Sequence, residues 1–234
     1  MSQQEDFTPR KATGDSKYEI HAIFPIAVYT KENLLREDEL PVLETFKDTP
    51  LEKNAARADV YGDRSENTYI LDHPSLLVLR DKLQACLTEY ANEVLGFAGD
   101  FAITQSWLTI KRPGQQHQMH SHANSIISGV FYFGNEGEHS GLTFSKNAYV
   151  SSTWQMDPLL NPNISNQFSF TEIKLKVENF MVCMFPSYLA HKVDINETTS
   201  ARYAIAFNAM PRYALGFEKD LTEMEFKRIN REGK

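Results

Sequence analysis

From Phe101 onward the sequence is a succession of short segments rich in β-branched and aromatic residues, separated by clusters of turn residues. In order, these segments are FAITQSWLTIKR, SIISGVFYF, GLTFS, EIKLKV, FMVCMFPS, HKVDI and RYAIAFNAM. Many short strands at such spacing are typical of a β-sandwich or a barrel. The sequence therefore predicts a mainly β core at about residues 101–213.

One long helix is predicted before these strands. Apolar residues recur at helical spacing from Leu76 to Leu95, which predicts an amphipathic helix over about residues 75–95. Pro74 suits the first turn of that helix, and Gly96 suits its end. The apolar stripe should pack this helix along the outside of the predicted sheet.

The N-terminal part of the chain carries weaker signals. Residues 1–17 are polar, and we expect a flexible arm followed by a single domain over 18–234. The segment Tyr18–Tyr29 is rich in β-branched and aromatic residues and predicts a strand. Pro25 within it indicates a bulge or an edge position, because proline cannot donate to a sheet ladder.

Four further segments are predicted to lie around the core. Residues 31–49 predict a short helix that breaks before Pro41, and residues 52–67 predict a loop. Residues 217–234 are charged and predict a peripheral helix. The insertion at residues 144–169 is long for a loop, and such loops commonly serve as lids or recognition segments.

Composition excludes several classes of function. The net charge is -7 and no block of Lys and Arg occurs, so we expect no nucleic-acid partner. No apolar run reaches membrane-spanning length, and the N-terminus lacks the apolar stretch of a secretory signal. Cys86 and Cys183 are predicted to be buried reduced thiols of a cytoplasmic protein. A homo-oligomer remains possible from the sequence.

Histidines cluster in the segment QQHQMHSHANSIISGVFYF. His117, His120 and His122 are three of the chain's seven histidines. On a strand, His120 and His122 would share one face, and His191 could supply a third ligand from a distant strand. Three ligands on one face of a metal leave positions open for substrate and oxygen.

An arginine completes the chemistry that a 2-oxo-acid cosubstrate requires. Arg202 lies eleven residues after His191, and its guanidinium could hold a carboxylate bidentately. The metal would then bind the 2-oxo group, while the arginine would bind the distal carboxylate.

These segments resemble a known superfamily. QSWLTIKRPGQQHQMHSHANSIISGVFYF, MFPSYLAHKV and ARYAIAFN are similar to a phage- and marine-bacterial-type branch of the 2-oxoglutarate and Fe(II)-dependent oxygenases, which are related to the prolyl hydroxylases. The resemblance covers about residues 18–212. A bare HxH is a weak signal, but the combination of HxHxNSxxSGVFYF, FPSxLxH and RxxIAFN is specific.

The resemblance implies a fold and an activity. The fold would be a double-stranded β-helix, or jelly roll, with a long packing helix and short peripheral helices. The protein would be a dioxygenase that uses Fe(II), O2 and 2-oxoglutarate. It would hydroxylate a C–H bond of a small-molecule or peptidyl substrate and release succinate and CO2. By the same resemblance, His120, His122 and His191 would bind the metal, and Arg202 would bind 2-oxoglutarate.

The sequence departs from the superfamily at one position. The usual motif has Asp or Glu two residues after the first histidine, and here that position is His122. His122 is therefore either a third imidazole ligand or a neighbour of the metal, with water or Asn124 in its place. This departure keeps open a cupin-like metalloprotein, a three-histidine dioxygenase that does not use 2-oxoglutarate, and a non-catalytic jelly roll. Arg202 argues against these alternatives.

Several polar residues are candidates for supporting roles. Tyr132 and Asn208 are predicted to reach the cosubstrate or the barrel interior, and Asn124 is predicted to help bind the cofactor. Ser125 could orient metal ligands by hydrogen bonding, and Gln105 could face inward.

Overall fold

The computed structural model describes residues 25–52, 60, 62–134, 141–146, 170–212, 215–216 and 219. Within these ranges the strands form two antiparallel sheets, which confirms the predicted mainly β jelly roll. The described helices are too short or too polar to span a bilayer.

The larger sheet has six strands in the order β1-β8-β5-β10-β3-β2. Its strands are β1 (Tyr29–Lys31), β2 (Asp63–Arg64), β3 (Phe101–Lys111), β5 (Ile127–Phe133), β8 (Val182–Pro186) and β10 (Arg202–Pro211). The smaller sheet has four strands in the order β4-β9-β6-β7. Its strands are β4 (His117–His120), β6 (Leu142–Ser145), β7 (Glu172–Leu175) and β9 (His191–Val193). Each strand predicted after Phe101 is thereby confirmed.

The predicted long helix is present, with irregular turns at both ends. A 3-10 turn (Pro74–Leu76) leads into α2 (Leu77–Glu89), and a π-helical turn (Tyr90–Val94) follows. Gly96 then has a φ of +70°, the left-handed conformation that commonly ends a helix. The other described helices are the 3-10 turns Glu37–Glu39 and Ile70–Asp72 and the short helix α1 (Pro41–Glu44).

Both faces of the larger sheet are buried, and alternate residues serve different cores. Ile205 and Phe207 of β10 face a core shared with α2, whereas Ala204 belongs to a second core inside the barrel. On β5, Phe131 and Phe133 join the helix-side core and Tyr132 the barrel-side core. This is the alternation expected of a strand, with a period of two residues.

Gly129 allows the two central strands to pack closely. It is the register partner of Phe207, and a Cβ built on it would lie 2.2 Å from Phe207 Cζ. Any side chain at this position would therefore displace the Phe207 ring from the helix-side core. The close packing of β5 against Phe207 therefore depends on the absence of a side chain at Gly129.

Three local predictions require correction. Pro41 begins α1 rather than breaking a helix, because the missing amide hydrogen is tolerated in the first turn. The segment predicted as a loop over residues 52–67 contains strand β2, which pairs with β3. Of the predicted strand over residues 18–29, residues 25–28 are not strand, a strand begins at Tyr29, and residues 18–24 lie outside the described residues.

Some predictions lie outside the described residues. They are the flexible arm at 1–17, most of the insertion at 144–169 and nearly all of the C-terminal helix at 217–234. The division into an arm and a single domain stays a prediction. Cys86 and Cys183 are buried free thiols, as predicted.

Leu83 provides a test of the packing between α2 and the sheet, because its side chain is fully buried. Leu83→Ala should lower the free energy of unfolding by about 2–5 kcal/mol, since it removes buried methyl groups and leaves a cavity. Denaturant unfolding measures this loss. Val78→Ala on the exposed face of α2 is the matched control and should change stability by no more than about 0.5 kcal/mol. Equal effects of both variants would contradict the packing assigned to this helix.

Candidate metal centre and cosubstrate site

His120 and His191 lie opposite each other on paired strands of the smaller sheet. His120 Nδ1 is 2.8 Å from the carbonyl oxygen of Gln118, and His191 Nδ1 is 2.9 Å from that of Leu189. Because a carbonyl oxygen can only accept, Nδ1 of each ring carries the proton. Each Nε2 therefore presents its lone pair, which is the arrangement of metal-binding histidines.

His122 lies close to His120 and His191, but the strand geometry predicted from the sequence does not position it there. Strand β4 ends at His120, so the shared face of a strand does not position His122. Instead, its backbone nitrogen donates to the carbonyl oxygen of Ser187, at 2.9 Å, in the loop before β9. This contact joins the loop after β4 to the loop between β8 and β9. His122 Nε2 lies 3.3 Å from His191 Nε2.

The three imidazoles could hold one metal ion. One ring nitrogen from each of His120, His122 and His191 lies within 4.8 Å of the other two. Two nitrogens bound at about 2.0–2.1 Å to one ion at a roughly tetrahedral angle are about 3.4 Å apart, close to the His122–His191 separation. Among the described residues, no carboxylate belongs to this group.

Burial keeps these imidazoles neutral. It is the largest cause that lowers the pKa of His122 to about 4 and that of His191 to about 3, and His120 lowers both further. Burial also lowers the pKa of His120. A side-chain hydrogen bond with Asn208 opposes the shift at His122. At neutral pH the three rings are therefore unprotonated at one nitrogen, as metal binding requires.

Aromatic rings enclose the histidines. Trp107 stacks on His122 with ring centroids 6.1 Å apart, and Phe185 packs against His191 at 4.5 Å. Phe144 contacts both Phe185 and His191. These contacts restrict the rotation of the imidazoles and limit the access of water to them.

A network of polar side chains links the loop before β5 and the loop between β8 and β9 to strand β10. Ser187 Oγ donates to Ser125 Oγ at 3.0 Å and lies 2.8 Å from Ser128 Oγ. Ser128 Oγ donates to Asn208 Oδ1 at 3.0 Å, and Asn208 Nδ2 donates to Gln105 Oε1 at 3.2 Å. Asn208 and Gln105 are register partners on β10 and β3, and a bulge follows between Asn208 and Ala209. Gln105 and Asn208 thus face inward, as predicted, and Ser125 belongs to the network.

Arg202 and Tyr132 lie together on the barrel side of the larger sheet. The Arg202 guanidinium carbon is 5.5 Å from the centroid of the Tyr132 ring, and both side chains are buried. Burial lowers the pKa of Arg202, and the nearby Tyr132 and Asp194 oppose this shift. Tyr132 Oη is buried and has no hydrogen-bond partner among the described residues. A buried hydroxyl of this kind fits a ligand oxygen, so this pair could hold a carboxylate.

Lys111 is a buried cation that was not predicted as a site residue. It is the register partner of Arg202 on the paired strands β3 and β10, and its side chain is 6% exposed. Burial, and then the neighbouring Arg202, lower the pKa of Lys111 to about 8. In the sequence it stands in the segment TIKR, which gives no sign of burial because the register with β10 is a long-range property.

Two predicted residues lie at the margin of the site. Asn124 is exposed in a turn, with a φ of +56°, and its predicted part in cofactor binding stays a prediction. His117 packs edge-on against His120, with ring centroids 4.4 Å apart, but does not belong to the group of three. It is thus peripheral to that group.

Comparison with known proteins agrees with this geometry. Residues 105–208 match the sequence model of a family described as "Putative 2OG-Fe(II) oxygenase". The matched segment begins at Gln105, ends at Asn208 and contains the three clustered histidines, Tyr132 and Arg202. The match covers most of the jelly-roll core and bears out the resemblance to the 2-oxoglutarate/Fe(II) oxygenases.

Several solved structures of low sequence identity are similar to this chain in fold. The epimerase SnoN from nogalamycin biosynthesis is 10% identical, with a TM-score of 0.58 over 81% of this chain and 78% of its own. HygX from Streptomyces hygroscopicus, solved with nickel, 2-oxoglutarate and hygromycin B bound, is 12% identical, with a TM-score of 0.55 over 80% and 84%. A Pseudomonas putida prolyl-4-hydroxylase is 11% identical, with a TM-score of 0.51 over 79% and 94%. No curated protein sequence matches the chain.

The family match confirms three predictions about this protein. It is an oxidoreductase, its cofactors are Fe(II) and 2-oxoglutarate, and its substrates are O2 and a small molecule or peptide. The suggested phage- and marine-bacterial-type branch stays a prediction.

Removal of single imidazoles tests the metal centre. His120→Ala, His122→Ala and His191→Ala should each lower the metal bound per chain after anaerobic loading with Fe(II) or Ni(II), because each removes one of three neutral ligands. Metal analysis after desalting measures the loss. His117→Ala and the exposed His73→Ala are matched controls and should retain the wild-type metal content. Full metal content in His122→Ala alone would reduce the centre to two histidines.

Lys111→Met tests whether the buried ammonium destabilises the free enzyme. The pKa of Lys111 is about 8 in the folded state and 10.5 in the reference state, so its protonated form opposes folding. This cost is complete below pH 8 and disappears as the pH rises through 10.5. Lys111→Met should therefore raise the free energy of unfolding at pH 7 by on the order of 1–3 kcal/mol, and by less at pH 10. Chemical denaturation at both pH values measures the difference, and a large destabilisation would contradict it.

Proposed function

We propose that this protein is a cytoplasmic hydroxylase that inserts one oxygen atom of O2 into a C–H bond of its substrate. In the balanced reaction, substrate, O2 and 2-oxoglutarate give hydroxylated substrate, succinate and CO2. The four electrons that reduce O2 come in equal parts from 2-oxoglutarate, which loses its first carboxyl group, and from the C–H bond. The residues proposed to bind the metal are His120, His122 and His191.

The observation that carries this proposal is the buried pair of Arg202 and Tyr132 inside the same barrel as the three histidines. Tyr132 belongs to the barrel-side core with Phe144 and Phe185, and both of these rings pack against His191. A buried guanidinium beside a phenol hydroxyl that has no hydrogen-bond partner among the described residues supports the binding of a carboxylate cosubstrate.

Each group of residues has a distinct task in the proposed reaction. Fe(II), when bound, would supply the capacity to bind and activate O2. The three histidines hold the metal and leave adjacent positions for 2-oxoglutarate and O2. Arg202 and the Tyr132 hydroxyl bind the distal carboxylate and so fix the direction of the cosubstrate. The aromatic rings of Trp107 and Phe185 limit water near the metal, which protects an oxidising centre from side reactions.

One alternative has a specific observation in its favour. The group of three histidines contains no carboxylate among the described residues, as in a three-histidine dioxygenase that does not use 2-oxoglutarate. Such an enzyme would consume O2 with its substrate and would form no succinate. Formation of succinate therefore separates the two reactions.

The direct experiment is to incubate the Fe(II)-loaded protein with O2 and 2-oxoglutarate and to measure succinate. We expect slow succinate formation without substrate and faster formation when a substrate from a library of small molecules and peptides is present. Protein without metal, and protein supplied with 2-oxoglutarate under nitrogen, are the controls. O2 consumption without any succinate would favour the alternative.

Arg202 variants test the cosubstrate assignment. Arg202→Lys should raise the KM for 2-oxoglutarate, because lysine keeps the charge but cannot form two parallel hydrogen bonds with a carboxylate. Arg202→Ala should cause a larger loss, of about 2–5 kcal/mol in cosubstrate binding. Succinate formation at varied 2-oxoglutarate concentrations measures both effects. The exposed Arg36→Ala is the control and should behave as wild type. An unchanged 2-oxoglutarate affinity in Arg202→Ala would refute the assignment.

A further inference from the structure

We infer that Asn208 is a positioning residue for the metal centre, and that its side chain holds the His122 imidazole in the orientation that presents Nε2 to the metal. This inference deepens the proposed function and rests on the metal centre of that proposal. It gives Asn208 a task other than the predicted contact with the cosubstrate. It follows from the hydrogen bonds that join Asn208, Ser128 and Ser187 to His122.

Asn208 lies in a row of polar residues that crosses the inward face of the larger sheet. It is the register partner of Gln105 on β3 and of Ser128 on β5. Its amide bonds to both neighbours, since Nδ2 donates to Gln105 Oε1 at 3.2 Å and Oδ1 accepts from Ser128 Oγ at 3.0 Å. Asn208 and Ser128 are 8% and 1% exposed. Because buried polar groups are costly unless they are hydrogen-bonded, these two bonds hold the Asn208 amide in place.

Hydrogen bonds form a closed ring that contains both the backbone and the side chain of His122. The His122 backbone nitrogen donates to the Ser187 carbonyl oxygen at 2.9 Å. Ser187 Oγ lies 2.8 Å from Ser128 Oγ, and Ser128 bonds to Asn208. Asn208 returns to His122 through a side-chain hydrogen bond. The loop that carries His122 is thereby attached to β5 and β10, the two central strands of the larger sheet.

His122 needs such a partner because neither strand geometry nor stacking sets the orientation of its ring. Strand β4 ends before His122, and Trp107 stacks on the imidazole with the two planes 28° apart. Stacking does not distinguish this ring from one turned over by 180°, since both present a face to the indole. A hydrogen bond does distinguish them, because the turn exchanges ring nitrogens with ring carbons.

The partner of the ring also determines which nitrogen of His122 is free for the metal. Nε2 faces His191 Nε2 at 3.3 Å and is the nitrogen that the metal would bind. The proton of the neutral ring is then on Nδ1, which requires an acceptor. The amide oxygen of Asn208 has two lone pairs, of which Ser128 uses one. The other can accept from Nδ1, as backbone carbonyl oxygens do for the other two histidines.

The test measures the affinity of the full-length protein for Co(II) by competition with a chelator. Asn208→Leu should weaken Co(II) binding by about 10–100-fold, because a ligating histidine loses its hydrogen-bond partner. The visible absorption of bound Co(II), which reports its coordination geometry, should move toward that of His122→Ala. Asn208→Asp keeps an acceptor oxygen and should bind Co(II) at least as tightly as wild type.

A double-mutant cycle separates positioning from a general effect on folding. If Asn208 acts through His122, then Asn208→Leu in the His122→Ala background should change Co(II) affinity by less than about two-fold. A purely structural role would instead give losses that add. Asn92→Leu, exposed on the π-helical turn, is the matched control and should bind Co(II) as wild type does.

Wild-type Co(II) affinity in Asn208→Leu, or additive losses in the double variant, would overturn the inference. If Asn208→Leu keeps its Co(II) affinity but binds 2-oxoglutarate more weakly when saturated with Co(II), Asn208 contacts the cosubstrate instead.

Failure of the proposed function gives a different result. Protein whose Co(II) affinity depends on Asn208 as expected, but which forms no succinate when loaded with Fe(II), would support this inference and contradict the proposed reaction. Wild-type protein that binds no Co(II) would contradict the metal centre, and this inference would fail with it.

Discussion

The burial of both faces of the larger sheet is the constraint on which the site depends. One face must be apolar to pack against α2, so the inward-facing positions of β3, β5 and β10 are where polar groups can be placed. Tyr132 occupies such an inward-facing position on β5. Arg202 and Asn208, which are six residues apart, occupy two such positions on the neighbouring strand β10. Because the side-chain period of a strand is two residues, the core packing also fixes the direction in which these three polar side chains point.

The elements after Phe101 could be predicted from sequence because each rests on a local signal. Turn residues separate the β-rich segments, and the apolar positions of α2 repeat at helical spacing. His120, His191 and Arg202 were found for a different reason: specific motifs surround them, and the motif resemblance supplied the long-range pairing that periodicity cannot. The prediction that a helix breaks before Pro41 was wrong because proline can either interrupt a helix or begin one. The sequence alone does not distinguish the two cases.

The remaining features depend on contacts between distant segments. His122 is positioned by a hydrogen bond to Ser187, which is 65 residues away in the chain, and not by the strand geometry that its two-residue spacing suggested. Lys111 resembles a surface lysine until the register of β3 and β10 places it beside Arg202. The pairing of Asn208 with Gln105 likewise cannot be read from either strand alone.

The charge of the centre follows from the same geometry. Three neutral imidazoles leave the full double charge of a bound divalent metal uncompensated, and Lys111 and Arg202 add two buried positive charges to the interior of a chain whose net charge is -7. In a centre with a carboxylate ligand, part of this charge would already be neutralised by the protein. In the proposed reaction, the dianionic cosubstrate would neutralise part of this charge, since it would contact the metal at one end and the guanidinium at the other. Metal and cosubstrate should therefore each strengthen the binding of the other, since the coupling between two ligands of one protein is reciprocal.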